Sequence, residues 1–352
     1  MPVHTLSATL APDRLASFDT VIDARSEDEF AEDHLPGAVN WPTLDNAERI
    51  AVGTLYRQVS PFEARKRGAA LAARNIARHV EREVLDKPRE WRPLVYCWRG
   101  GQRSGALATI LGAIGFHVTL IEGGYKAWRA MVVESLPALV QGLRFRVVCG
   151  PTGSGKTRLL QALAAQGAQV LDLEALARHR SSVLGEIPGQ RQPSQKGFDS
   201  QVWQALRGMD PRRTVYVESE SKKVGKVRVP DALVDAMHAS PCIALHLDDE
   251  ERVALLLEDY DFFVRDPAAF CERLQALTML RGKDMVAAWQ TQVQAGQTPA
   301  VVRDLLRLHY DPMYAQSTAR HFSQSASALP CELRDRSPQA LADAARALIA
   351  SE

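Results

Sequence analysis

Along the chain, short apolar runs alternate with longer stretches in which apolar residues recur every three or four positions. Thr20-Val21-Ile22-Asp23 reads as a strand ending in a carboxylate, and Pro93-Leu94-Val95-Tyr96-Cys97 as a second ending in a cysteine. Between them Leu71, Ile76, Val80 and Val84 alternate with Arg and Glu, which predicts a helix over 64–85. A helix over 105–114 and a strand over 117–121, closed by Gly123-Gly124, follow. The spacing then predicts a boundary from Leu136-Pro137 to Gly142, after which the alternation starts again. Further strands are predicted over 145–149, 169–173, 214–217 and 242–247, each followed by a helical pattern. Short apolar runs separated by helices predict α/β architecture with mostly parallel sheets. The expected domains are residues 1–137 and 143–352, the second with a helical C-terminal part. Residues 185–197, with Pro188, Gly189 and Pro193, read as a long loop. Pro312, in His309-Tyr310-Asp311-Pro312-Met313-Tyr314, reads as the end of a helix.

Composition narrows the class. The 352 residues are enough for two domains, each burying its own core, and 46% apolar with 24% charged residues is an ordinary globular balance. No apolar run reaches the roughly 18 residues of a membrane helix. Met1-Pro2-Val3-His4 does not open a secretory signal. The five cysteines, at 97, 149, 242, 271 and 331, are odd in number and form no CxxC pair. That argues against a disulfide framework and a four-thiolate zinc site, and a cytoplasmic chain with reduced thiols and no membrane partner is expected. The net charge of +1 means that nucleic acid, if bound, is bound through local patches.

The first patch of chemistry is Cys97-Trp98-Arg99-Gly100-Gly101-Gln102-Arg103-Ser104, between a strand and a helix. Such a loop turns successive N–H groups inward beside the positive end of the next helix, a field that favours thiolate. Arg99 and Arg103 add bidentate anion contacts, and the glycines let the backbone approach a bound anion. The plainer alternative is a buried cysteine beside a helix cap. Asp23 to Phe30, His34 to Asn40, and Gly115-Phe116 through Glu122-Gly123-Gly124-Tyr125-Lys126-Ala127-Trp128 resemble the signatures of the rhodanese family, over about residues 5 to 135. Five residues separate Cys97 from Arg103, where sulfur-transferring rhodaneses usually have four. The wider spacing is similar to a phosphatase branch of the same fold and suits a larger anion.

The second patch is Gly150-Pro151-Thr152-Gly153-Ser154-Gly155-Lys156-Thr157, which matches GxxxxGK[ST] after a strand and before a helix. Backbone N–H groups there cradle a diphosphate, Lys156 neutralises it, and Thr157 is placed for Mg²⁺. Asp172 and Glu174 end one strand, Glu218 and Glu220 another; each pair is a candidate for Mg²⁺ or water, or caps a helix. Lys222, Lys223, Lys226 and Arg228 form a run of four cations after Glu218, either a nucleic-acid phosphate contact or a solvated face. Arg212-Arg213 and Arg65-Lys66-Arg67 are weaker phosphate candidates. Tyr260 to Phe263 and Phe198 to Trp203 line an apolar pocket or belong to the core.

The fusion of the two modules in this order resembles the bacterial tRNA 2-selenouridine synthase family over nearly the whole chain. Besides both loops, the matching segments are Asp172-Leu173-Glu174 with His179-Arg180, Gln192-Pro193-Ser194-Gln195, Val217-Glu218-Ser219-Glu220-Ser221 and Tyr310-Asp311-Pro312. Ser181 stands where a glycine is expected. The resemblance implies a rhodanese-like domain followed by a P-loop NTPase-like domain and a transferase acting on tRNA that carries wobble 2-thiouridine. It implies geranylation of the sulfur from geranyl diphosphate, then replacement by selenium from selenophosphate. Cys97, Arg99 and Arg103 would serve selenium delivery and the Gly150–Thr157 loop the diphosphate. No tightly bound cofactor is expected; Mg²⁺ is the ion to test. Three other readings stay open: a P-loop kinase or ATPase with a sulfurtransferase module, a phosphatase using Cys97 and Arg103, and a non-enzymatic tRNA-binding or sulfur carrier.

Overall fold

The computed structural model describes residues 3–182 and 184–351, so Met1 and Pro2, on which the expectation for the chain start partly rests, lie outside it. The chain divides into two compact units, Met1–Ser135 and Leu136–Glu352. The first holds five parallel strands: β1 (His4–Leu6), β2 (Thr20–Asp23), β3 (Ala38–Asn40), β4 (Pro93–Tyr96) and β5 (Thr119–Ile121), in spatial order β1-β5-β4-β2-β3. The central strand β4 is buried throughout, because helices cover both faces of a parallel sheet and leave no polar side for alternation. Ile22, Val95, Leu107, Leu111 and Trp91 pack into one apolar core beneath it.

The second unit repeats the plan. Strands β6 (Arg144–Cys149), β7 (Gln169–Leu171), β8 (Thr214–Glu218), β11 (Cys242–His246) and β12 (Leu329–Glu332) form a parallel sheet in the order β12-β11-β6-β8-β7. Between β8 and β11 a two-stranded antiparallel hairpin is inserted, β9 (Lys223–Val224) with β10 (Val227–Arg228). The chain builds outward from β6 first on the β8 side and then on the β11 side. The crevice at the end of β6 is therefore the switch point at which open α/β sheets bind ligands. Residues 249–321 add helices with a core of their own around Phe263, Phe270, Leu274, Trp289 and Leu305. Among the described residues no helix is long and apolar enough to cross a membrane.

The division between the units falls at Ser135–Leu136, within the helix Gly124–Gln141, which runs on through Pro137. The proline removes one N–H, yet Val132, Leu136 and Val140, four residues apart, are buried and hold the helix on course. Two expectations need correction. Pro312 does not end a helix, because helical turns run unbroken from Thr298 through the π-helical stretch Leu306–Tyr310 into Asp311–His321, the wider turn lying just before the proline that lacks an N–H. The loop expected over 185–197 ends early, because Ser194 caps the Gly197 N–H and starts the helix Gln195–Arg207.

Candidate functional sites after the two central strands

Both reactive loops follow the central strand of their sheet. In the first unit Cys97 stands directly after β4, buried, and the Ser104 hydroxyl donates to its sulfur at 3.1 Å. The helix Gln102–Ile114 begins just beyond, with Gly101 at its N-cap and no capping side chain. The first-turn N–H groups are thus left for a ligand or water. Gly123 and Gly124 fix the loop from below. A Cβ on Gly124 would lie 2.3 Å from the Cys97 carbonyl and 2.5 Å from the Gly100 nitrogen, so only glycine fits there. The Tyr125 and Lys126 N–H groups donate to the carbonyls of Cys97 and Trp98 at 2.8 and 2.9 Å. Below them Arg25 is fully buried, paired with Asp23 at 2.6 Å and 3.9 Å from the centroid of the Tyr125 ring.

The two arginines of the loop part company. Arg99 is exposed. Arg103 is engaged by Glu29 at 2.6 Å, and Glu29 also closes the capping box of the helix Glu27–Glu32. Burial raises the Glu29 carboxyl, but Arg103 and the Ser26 N–H outweigh it and hold the group below the usual carboxylate range. Arg103 is therefore positioned by a carboxylate 74 residues away in the chain, which lies in the Asp23–Phe30 signature although no spacing signals the pairing.

In the second unit the phosphate loop leads from β6 into the helix Lys156–Ala165. Gly153 and Gly155 have φ of +78° and +88°, conformations that side-chain-bearing residues rarely adopt. The Lys156 ammonium lies over the loop, donating to the carbonyls of Gly150 and Pro151 at 2.8 and 3.3 Å. Arg252 anchors the loop from outside. It is 5% exposed, donates to the Thr152 carbonyl through Nε and Nη2 at 3.1 and 2.8 Å, and pairs with Asp311. Tyr314, one turn further along the same helix, accepts the Gly150 N–H. The Tyr310-Asp311-Pro312 segment thus serves as the phosphate loop's outer brace, a role no local pattern signals.

The acids converge on the same place. Carboxylate oxygens of Glu174, Glu218 and Glu220 all lie within 4.8 Å of one another. Glu174 accepts from the Thr157 hydroxyl at 3.2 Å. Asp172 takes a different part: it caps its helix by accepting the Ala175 N–H at 2.8 Å, and Glu220 completes the cluster. Burial, then the neighbouring Glu174 and Glu220, pushes the Glu218 carboxyl well above the ordinary range; its Oε1 is buried with no hydrogen-bond partner. Burial and Glu174 push Glu220 up to about 8, while the Ser181 hydroxyl and Lys156 pull it down. Ser181 donates its N–H to Glu174 and its hydroxyl to Glu220. It reaches both because Arg178, at φ +50°, reverses the chain after the helix Leu173–Ala177; it is the only non-glycine with positive φ among the described residues. A glycine there would supply one donor where serine supplies two.

These groups line a cleft of about 650 Å³ that also takes in His309, Tyr310 and Tyr314. His309 is buried, and Arg281 Nε donates to its Nδ1 at 3.0 Å. Burial and Arg281 both depress its pKa, keeping the ring neutral. Of the cation run, Lys222, Lys223, Lys226 and Arg228 are all exposed on the β9–β10 hairpin while Val224 and Val227 point inward. Gln192 and Gln195 clamp that hairpin, donating to the carbonyls of Val224 and Arg228 and accepting the N–H groups of Lys226 and Arg228. Tyr260 lines the cleft, whereas Phe198 and Trp203 are buried core residues of their helix.

A cysteine loop after the central strand of one sheet and a phosphate loop after the central strand of the next define a rhodanese-like domain joined to a P-loop domain. Family models match accordingly, a Rhodanese-like domain over residues 7–131 and a tRNA 2-selenouridine synthase AAA domain over 143–278. The tRNA 2-selenouridine synthase of Verminephrobacter eiseniae is 34% identical, covering 84% of this chain and 88% of that one. That of Nitrosomonas europaea is 36% identical, covering 68% of this chain. The chain belongs to the tRNA 2-selenouridine synthase family. It spans 63% of the Nitrosomonas europaea protein and 66% of the Alcanivorax borkumensis protein. A solved rhodanese-related protein of Thermoplasma volcanium is 17% identical, covering 36% of this chain and 89% of that one, with a TM-score of 0.24.

Proposed function

We propose that the protein is a tRNA-modifying transferase that makes 2-selenouridine from wobble 2-thiouridine in two steps, one at each loop. In the first, the thiocarbonyl sulfur attacks C1 of geranyl diphosphate, the C1–O bond breaks, and diphosphate leaves on the Gly150–Thr157 cradle. In the second, the selenium of selenophosphate adds at C2 of the base, the C2–S bond breaks and geranyl thiol departs with a proton, and water cleaves the P–Se bond to release phosphate. Alkylation comes first because an uncharged thioether sulfur leaves far more readily than a thiolate. The observation that supports the assignment is the presence of two anion cradles with different chemistry. One carries a thiol under a hydroxyl donor, and the other carries a lysine and buried acids with no reactive thiol beside it. Cys149, just before the phosphate loop, is buried against Cys242, and that contact raises its pKa.

Residues of the chain do the positioning. Lys156 exchanges its two carbonyl partners for the departing diphosphate, whose developing charge the backbone N–H groups share. Arg252 keeps the Thr152 turn in place while this happens. Mg²⁺ fits the donor set: Glu174, Glu218, Glu220 and the Thr157 hydroxyl are hard oxygen ligands, and the Glu218 Oε1 has no other partner. When bound there it would supply positive charge beside the diphosphate. At the other loop, Arg99 and the N–H groups at the start of the helix Gln102–Ile114 receive selenophosphate or its product phosphate.

Purified protein is incubated with thiolated tRNA and each donor separately, and the nucleosides are analysed by mass. Geranylated nucleoside is expected with geranyl diphosphate alone, and selenouridine only when selenophosphate is added too. Strict dependence of the first step on ATP would replace this reading with the kinase or ATPase.

A further inference from the structure

The cleft on the phosphate loop has an apolar annex. Thr152, Ser182, Leu256, Tyr260 and Tyr310 line both the cleft and a second cavity of about 50 Å³. Beyond this shared mouth the annex is walled by Phe263, Phe270, Val302, Leu305 and Leu306, most of them side chains of the helical core. Four of its polar side chains, Thr152, Ser182, Tyr260 and Tyr310, stand at the mouth, where the Ser182 and Tyr260 hydroxyls lie 3.5 Å apart. Deeper in, Thr298 is the one polar residue among the described lining. The two spaces are one side chain from each other. A Cβ on Gly153 of the phosphate loop would lie 3.0 Å from the end of Leu256, so the anion cradle gives way directly to hydrocarbon. Phe270, 3% exposed, belongs to the part of the wall that the cleft does not share.

A nucleobase needs its polar edges answered, and beyond the mouth the wall offers a single polar side chain, Thr298. An apolar cavity of this kind stays dry and gains by taking hydrocarbon. A ligand that satisfies both spaces has a diphosphate head and a short apolar tail. We propose that the annex holds the tail end of the prenyl diphosphate whose head sits on Gly150–Thr157, and that Phe270 limits the length of chain accepted. This rests on the reading of the loop as a prenyl diphosphate site and adds where the chain goes.

Calorimetry on the full-length protein compares inorganic diphosphate, geranyl diphosphate and farnesyl diphosphate. Wild type is expected to bind the geranyl ester at least about tenfold more tightly than inorganic diphosphate, the difference coming from buried methylenes. Val302→Phe, which fills the annex, should remove most of that advantage while leaving the affinity for inorganic diphosphate unchanged. The unchanged value also shows that the variant is folded. Phe270→Leu should improve farnesyl relative to geranyl diphosphate by about tenfold. If wild type shows no preference for geranyl over inorganic diphosphate, the prenyl reading and the annex fall together. If the preference exists but neither substitution changes it, the prenyl reading stands and the annex is the wrong place for the chain.

Discussion

The Cys97 loop and the Gly150 loop occupy the same position in two similar sheets and solve opposite electrostatic problems. Around Cys97 the charged groups offered to a ligand are cations and N–H dipoles, and one carboxylate, Glu29, is spent on holding Arg103. A small anion enters such a loop without preparation. Around Gly150 one lysine faces three converging carboxylates, two of them almost fully buried. A diphosphate cannot join three ionised acids unless protons or a cation neutralise them first. The comparison teaches that a loop motif sets what is recognised, while its neighbours set the conditions under which the ligand is admitted.

Separating the two sites by substitution is the sharpest way to break that comparison. Cys97→Ala should abolish selenium incorporation, because no other thiol stands in an anion cradle among the described residues, and leave geranylated nucleoside forming at a near normal rate. Nucleoside mass analysis reads both products. Loss of geranylation in a folded Cys97→Ala protein would mean that the loops do not work separately. Lys156→Ala should slow geranylation by about a hundredfold or more, the usual cost of removing one donor to developing charge. The same variant should still convert pre-geranylated tRNA to the seleno form.

Arg252→Ala tests the brace. It leaves Asp311, only about one-third exposed, without its partner and frees the Thr152 carbonyl. Partial exposure of Asp311 moderates the cost to about 2 kcal/mol. The Tm of the second unit should fall by roughly 4–8 °C, and scanning calorimetry should show the first unit's transition unmoved.

Neutralising Lys222, Lys223, Lys226 and Arg228 together should weaken tRNA binding and flatten its salt dependence by about one unit of slope for each phosphate that is no longer neutralised. The hairpin offers these cations to solvent from a frame clamped by Gln192 and Gln195, which suits a preformed docking surface. An unchanged slope would make the run an ordinary solvated surface. A dependence on pH is expected from Glu220. Its folded pKa of about 8 lies above that of a free carboxyl, so the folded state keeps a proton the unfolded state has released. Wild-type stability should therefore fall relative to Glu220→Gln as pH rises from about 4.5 to 8. Added Mg²⁺ should reduce that slope, and a flat difference across the window would show that the carboxyl is not raised.

Much of this is legible in the sequence. The Cys97 and Gly150 loops announce themselves because glycines at fixed offsets, a nucleophile or lysine, and a flanking strand and helix are all local features. The alternation of short apolar runs with helices predicted two parallel sheets for the same reason. Glu29 lies in a family signature and Ser181 stands out as a departure from glycine, but their roles, like those of Arg252 and Tyr314, come from partners brought together by folding; Arg252 is 100 residues from Thr152. Even Asp172 and Glu220 could not be ranked from sequence, since both are acids at strand ends and only packing makes one a cap and the other a member of the cluster.

The sequence by itself determined the two sheets and the two anion-binding turns that follow their central strands. Backbone conformation, helix capping and apolar periodicity act over a few residues, and those residues are adjacent in the chain. The tertiary structure alone decided the environment of each turn: the Glu29 clasp on Arg103, the three-carboxylate cluster and the apolar annex behind Leu256. Those depend on which elements the folded core brings together, and burial then fixes whether a carboxyl keeps its proton and whether a cavity stays dry.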